Sequence, residues 1–191
     1  MDFILASGSL RRQELLQRLG MEFQISVSEF DENSVPYDGD PESYVKTLAL
    51  EKARNILDSE TEGAFILGAD TVVCVDGRIL GKPSDRIDAF NMIRSLQARS
   101  HEVYSGIALI RHGSEICETA SVKTSVLFSP MTDQEIEIYL DKNEWHDKAG
   151  AYGIQGSAGL FIEGIEGDYY NVMGLPLNTL YKMLRKHHII M

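Results

Sequence analysis

Residues 101–128 read HEVYSGIALIRHGSEICETASVKTSVLF. Apolar and polar residues alternate on both sides of His112-Gly113, which predicts one long β-hairpin. A long antiparallel pair constrains the rest of the chain, because the flanking segments follow a different pattern. Residues 2–6 and 23–27 read as short strands, and 10–19 as a helix closed by Gly20. Asp40-Pro41 forms a cap and first-turn pair for a helix over roughly 41–57. AFILGADTVVCV is an apolar strand ended by the tight-turn pair Asp76-Gly77. Ser84 or Asp85 caps a helix to about residue 98, and Thr132 to Glu135 form a capping box. GLFIEGI reads as a strand within a glycine-rich stretch, and Pro176 opens a final helix to about His188. Strands and helices in this order predict an α/β domain with a mixed sheet. No repeat, linker or low-complexity tract divides it, so residues 1–191 are read as a single domain.

Composition narrows the function classes. The formal net charge is −11. Nucleic-acid binding rests on neutralising many phosphates with Lys and Arg, so it is not expected here. No apolar run approaches the ~18 residues of a membrane span. The first residues lack the basic and apolar regions of a secretory signal. Cys74 and Cys117 fit reduced, buried thiols in a cytoplasm.

Against an acidic background, local cations stand out. LASGSLRR places Ser7, Gly8 and Ser9 where a strand meets a helix, followed by Arg11 and Arg12. A helix N-terminus favours an anion, and guanidinium forks suit phosphate oxygens. A serine cap with two surface arginines would read the same way. Lys52 falls in the middle of the apolar stripe formed by Tyr44, Val45, Leu48, Ala49, Ala53 and Ile56. It must reach water or meet an anion. Asp70 and Thr71 interrupt an otherwise apolar strand, with Gly68 allowing a close approach just before them. Lys82 precedes Pro83 on a stiffened loop. Glu29, Asp31 and Glu32 lie in an acidic loop that could be merely solvated. With Asp70 they could instead hold a hard divalent ion. The five histidines show no zinc-ligand spacing with the cysteines. Together these residues suit a polyphosphate with a divalent metal, without choosing between hydrolase, transferase and sensor.

The stretches ILASGSLRRQELL, YVKTLALEKA, ILGADTVVCVDGRILGKP, SLQARSHEVYSGIAL and DKAGAYGIQGSAGLFIEGIEGDYYNVMGLPL resemble the Maf family of nucleoside triphosphate pyrophosphatases, first described as septum-formation inhibitors. The resemblance covers essentially the whole chain, with Leu10 standing where the family usually has proline. It implies an elongated mixed β-sheet flanked by helices with a central cleft, similar to inosine triphosphate pyrophosphatases. It implies hydrolysis of a nucleoside triphosphate to the monophosphate and pyrophosphate, with Mg²⁺ or Mn²⁺ as cofactor. By the same resemblance Asp70 is the catalytic acid or base and a metal ligand. Lys52 and Lys82 join it in catalysis, Glu32 lies near the metal, and Ser7, Ser9 and Arg12 surround the triphosphate. AYGIQG is similar to the branch acting on dTTP and UTP, in which Arg11, Thr71 and Gln155 match the specificity positions. Gln155 could equally tie down its glycine-rich loop. Modified pyrimidine nucleotides are a related substrate class, and the family suggests a homodimer. The rival reading is a nucleotide-sensing regulator of cell division without turnover. Asp147 and Lys148 are read as a surface pair without a catalytic role. Trp145 is placed beside the cleft or in a subunit interface.

Overall fold

A computed structural model describes residues 2–58 and 61–190. The hairpin forms as the alternation requires: β5 spans Ser100–Arg111 and β6 spans Cys117–Phe128. They pair antiparallel from Ser100↔Leu127 to Ile110↔Cys117. Around them run β1 (Phe3–Leu5), α1 (Leu10–Gln17), β2 (Gln24–Ile25), α2 (Pro41–Asn55), β3 (Phe65–Val75), β4 (Arg78–Leu80) and α3 (Arg86–Leu96). After the hairpin come α4 (Asp133–Leu140), β7 (Ile162–Glu166), α5 (Tyr169–Met173) and α6 (Leu177–Lys186). Among the described residues the strands form one sheet in the order β2-β1-β3-β5-β6-β7, with β4 also on β3. β1 is parallel to β2 and β3, and the remaining pairs are antiparallel, so the sheet is mixed as expected.

Local chemistry explains the element ends. Asp40 accepts from the Glu42 and Ser43 amides with Pro41 in the first turn, and Thr132 and Glu135 complete their capping box. Asp76 and Gly77 both take positive φ, 50° and 73°, and turn β3 tightly into β4. Three expectations shift. Pro176 caps the last helix from outside it, because α6 begins at Leu177. The first residues of GLFIEGI form a 3₁₀ turn over Ser157–Leu160 before β7 starts. The five-residue α5 has no sequence signal long enough to read as a helix. Leu10 is the first residue of α1 and is largely exposed.

Period-two alternation sorts β3 between two layers. Its even-numbered residues Ile66, Val72 and Cys74 pack toward α2. Its odd-numbered residues Phe65, Leu67 and Ala69 join a core with α1 and α6, and Val73 and Val75 join a second core with α3 and α4. Trp145 belongs to that second core. Its indole N–H donates to the Leu140 carbonyl at 3.1 Å, and it is buried in the core that backs the cleft through Val73, Val103 and Tyr152, not exposed for an interface. Cys74 is buried, but Cys117 is exposed, because it opens β6 on the outer side of the hairpin turn. No helix of the described residues is long and apolar enough to cross a membrane.

Candidate active site

The cleft begins as a gap in strand pairing. β5 covers one edge of β3 from Phe65 to Cys74. On the other edge β1 pairs only with Phe65 to Leu67, and β4 only with Val73 to Val75. Among the described residues no strand pairs with Gly68 to Val72 on that edge. The chain leaving β1 makes a last bond, from the Ala6 amide to the Leu67 carbonyl at 2.8 Å, and then diverges through Ser7-Gly8-Ser9 into α1. The space between holds a cleft of about 600 Å³. Ser7, Ser9, Arg11, Arg12, Glu32, Lys52, Asp70, Thr71, Lys82 and Gln155 all line it.

Two glycines bring Lys52 to Asp70. A Cβ at Gly68 would overlap the Ala49 carbonyl oxygen, and one at Gly106 would overlap that of Val45. Helix α2 therefore lies against bare backbone of β3 and β5. Gly68 lies on the same face as Asp70, two residues away, and Gly106 is the cross-strand partner of Asp70. Lys52 Nζ contacts Asp70 Oδ1 and lies 2.7 Å from Glu32 Oε1. The two anions answer why a lysine sits in the apolar stripe. Asp70 is 5% exposed. Burial pushes its carboxyl above the usual range, against the pull of Lys52 and Arg12, while Glu32 adds to the rise. Glu32 moves the other way. Its partial burial is outweighed by the Lys52 hydrogen bond and the charges of Lys52, Lys82 and Arg12.

Arg12 is held without a carboxylate ion pair among the described residues. Its Nε donates to the Gly174 carbonyl at 2.9 Å. Its terminal nitrogens donate to Ser7 Oγ and Thr71 Oγ1, each at 3.2 Å. Burial lowers its pKa, while the Asp70 charge raises it. A guanidinium has five N–H donors, so one remains on each terminal nitrogen. Ser9 occupies the cap position of α1 without a side-chain capping bond, which removes the plain helix-cap reading for this serine.

At the cleft mouth Arg11 meets Asp147, 2.7 Å from its carboxylate and 3.2 Å from its carbonyl. Lys148 Nζ approaches the other carboxylate oxygen at 2.7 Å. Partial burial works against the Asp147 charge, but Lys148 and Arg11 outweigh it and hold the carboxyl at about 2. Asp147 and Lys148 are thus part of the cleft wall and not a detached surface pair. Lys148 lies over Gly153, where an added Cβ would come within 2.7 Å of its Cε. Gln155 is exposed in the cleft, and its amide makes no hydrogen bond among the described residues. The loop is tied instead by Glu144, which accepts from the Ser157 amide at 2.7 Å. Lys82 is exposed at the rim.

Of the loop carboxylates Glu29, Asp31 and Glu32, Glu32 alone lines the cleft. Asp31 accepts from the Asn33 amide and caps the turn Glu32–Ser34, and Glu29 lies outside. Among the described residues no group of three or more His, Cys, Asp or Glu side chains could hold a metal. Asp70 and Glu32 are two hard oxygen donors meeting at one cation. That set fits a Mg²⁺-type ion, which commonly takes one or two carboxylates and completes its shell with water and substrate phosphates.

A mixed sheet between helical layers, opened at one strand edge into a cleft, is an α/β fold similar to that of Ham1 proteins. The Staphylococcus aureus Ham1 protein aligns over 98% of this chain and all of its own, with a TM-score of 0.52 at 10% identity. The chain belongs to the Maf-like protein family, whose sequence model matches residues 2–187. A protein of Clostridium botulinum (strain Alaska E43 / Type E3) named dTTP/UTP pyrophosphatase is 53% identical over 97% of this chain and 99% of its own. Proteins with the same name from Clostridium novyi and Clostridium perfringens are 50% and 48% identical. They cover 96% and 99% of this chain, and 96% and 98% of their own lengths.

Proposed function

We propose that this protein is a nucleoside triphosphate pyrophosphatase that hydrolyses dTTP and UTP to the monophosphate and pyrophosphate. The names of relatives about half identical over nearly the full length support the substrate. The observation that carries the reaction is the contact of buried Asp70 with Lys52 in a cleft that also holds the Arg12 fork.

Water attacks the α-phosphorus and Asp70 takes its proton. The new P–O bond forms as the bond to the bridging oxygen breaks, and pyrophosphate leaves with that electron pair. A carboxyl raised toward neutrality is better matched to this proton transfer than an ordinary aspartate. The free N–H groups of Arg12, with Ser7 and Ser9, hold phosphate oxygens. Lys82 at the rim and Lys52 beside Asp70 offset the charge growing on the leaving group. Asp70 and Glu32 would hold Mg²⁺ or Mn²⁺, which when bound supplies charge neutralisation to phosphate oxygens.

Gln155 and Arg11 both line the cleft and read the pyrimidine. Uracil and thymine offer acceptor, donor, acceptor along the pairing edge, which an amide and a guanidinium can match. Cytosine reverses part of that pattern and leaves groups that the bound base covers unpaired, at about 1–3 kcal/mol each. In this reading residues 1–191 act as one domain in the cytoplasm on a small-molecule substrate. The test is pyrophosphate release from dTTP, UTP, CTP, dATP and GTP with Mg²⁺ or Mn²⁺. Release from dTTP and UTP well above the others is the expected result. Binding without release from any of them would instead make the protein a nucleotide sensor.

A further inference from the structure

Two adjacent arginines line the cleft in different states of charge balance. Arg12 donates its hydrogen bonds to neutral oxygens, so its charge is open to an incoming phosphate. Arg11 is already matched. Its Nη1 donates to the Asp147 carboxylate at 2.7 Å, and its Nη2 to the Asp147 carbonyl at 3.2 Å. One residue thus holds both ends of the guanidinium fork and leaves one N–H on each terminal nitrogen. The Asp147 backbone is anchored on both sides. The Lys148 amide donates to the carbonyl of buried Trp145 at 3.2 Å, and the Gly150 amide to the Gly81 carbonyl at 3.0 Å.

The Asp147 side chain is 64% exposed and that of Arg11 is 25% exposed. An ion pair this open to water adds little to stability. Its effect falls on where Arg11 points and on what Arg11 attracts. An unpaired arginine beside a phosphate site is drawn to the phosphate, the strongest acceptor within reach. With an ionised carboxylate against it, Arg11 carries little net charge, and its remaining N–H groups suit a neutral carbonyl. Thymine and uracil carry a ring carbonyl where cytosine carries an amino group, and a donor-only fork accepts the first and opposes the second.

We propose that Asp147 is a positioning residue for base selection: it fixes the Arg11 guanidinium for the pyrimidine and keeps it from joining Arg12 on the triphosphate. This inference rests on the reading of the cleft as a pyrimidine nucleoside triphosphate site.

The readouts are calorimetric affinities, in the presence of Mg²⁺, for inorganic tripolyphosphate and for dTTP and dCTP analogues with an imido bridge between the α and β phosphates. Asp147→Ala is expected to lower the preference for the dTTP analogue over the dCTP analogue about tenfold, the scale of one hydrogen bond to a charged group. It is expected to tighten tripolyphosphate several-fold, because the released Arg11 turns to phosphate. In an Arg11→Met background Asp147→Ala should leave the base preference unchanged, which a merely structural role in the loop would not produce. Thermal unfolding confirms that the variant is folded, and Asp147→Asn carries the same test if it is not. A base preference unaltered by Asp147→Ala would overturn the inference. So would an equal loss of preference in the Arg11→Met background, which would place Asp147 on the base directly. Tripolyphosphate affinity that did not rise would overturn it too, since Arg11 would then not be held back from phosphate. A wild type without preference between the two analogues would remove the pyrimidine reading and the inference with it. A wild type with that preference but no pyrophosphate release would remove the hydrolase reading alone, and the same affinities would still decide the role of Asp147.

Discussion

Asp70 and Gly106 face each other across the β3–β5 ladder, and the missing side chain at 106 is what lets α2 bring Lys52 against Asp70. The acid and its cation come from different elements, and their contact depends on a third residue with no polar group at all. Gly68 does the same on the Asp70 strand.

Gly106→Ala is accordingly expected to act on both stability and chemistry. The added methyl meets the Val45 backbone, which cannot rotate away as a side-chain tip could. Overpacking of this kind costs about 1–3 kcal/mol, and α2 must lift from the sheet to relieve it. Thermal unfolding and dTTP turnover measured together should both fall. Turnover that held while stability fell would mean that the Lys52 contact is not needed.

The pH profile carries the signature of Asp70. Burial raises its carboxyl, so the acid limb of kcat/KM is expected above the ordinary aspartate range. Lys52 favours the ionised form, and Lys52→Met removes that help. Protonation of Asp70 then becomes easier, and the acid limb moves to still higher pH. The maximal rate should fall on the order of 10²-fold. An acid limb that stayed in place would show that Asp70 is not the titrating base.

His101 predicts a separate effect on stability. It is 2% exposed, with Nε2 2.7 Å from the Tyr152 hydroxyl, while Nδ1 is buried without a hydrogen-bond partner. Burial, aided by Arg99, lowers its pKa to about 4 from 6.5. The unfolded chain takes up a proton near pH 6.5 and the folded chain does not. Stability from this group is therefore complete above pH 6.5 and is lost as pH falls toward about 4, by roughly 3 kcal/mol. Unfolding free energies measured across that window should fall less steeply for His101→Gln than for the wild type. Equal slopes would contradict the assignment.

Legibility followed range along the chain. Asp40-Pro41, the Thr132 capping box and the Asp76-Gly77 turn are local signals, and each formed where its chemistry placed it. Lys52 was conspicuous because it broke an apolar stripe, and its partners proved to be the carboxylates of Glu32 and Asp70. What stayed hidden is non-local. Arg11 and Asp147 are 136 residues apart, and no periodicity links them. The open edge of β3 arises because β1 and β4 are both short, a property of pairing length that hydrophobic patterning does not express. The two cysteines read as buried thiols, but Cys117 is exposed, because a strand end at a hairpin turn is open to solvent.

The most direct measurement compares wild type and Asp70→Asn for pyrophosphate release from dTTP and for binding of the imido-bridged dTTP analogue. The substitution keeps the shape of the side chain and removes its ability to take a proton. Binding retained within a few-fold, with release nearly abolished, is the predicted result. Near-normal release by Asp70→Asn would contradict the account, because the proton of the attacking water would then be going elsewhere.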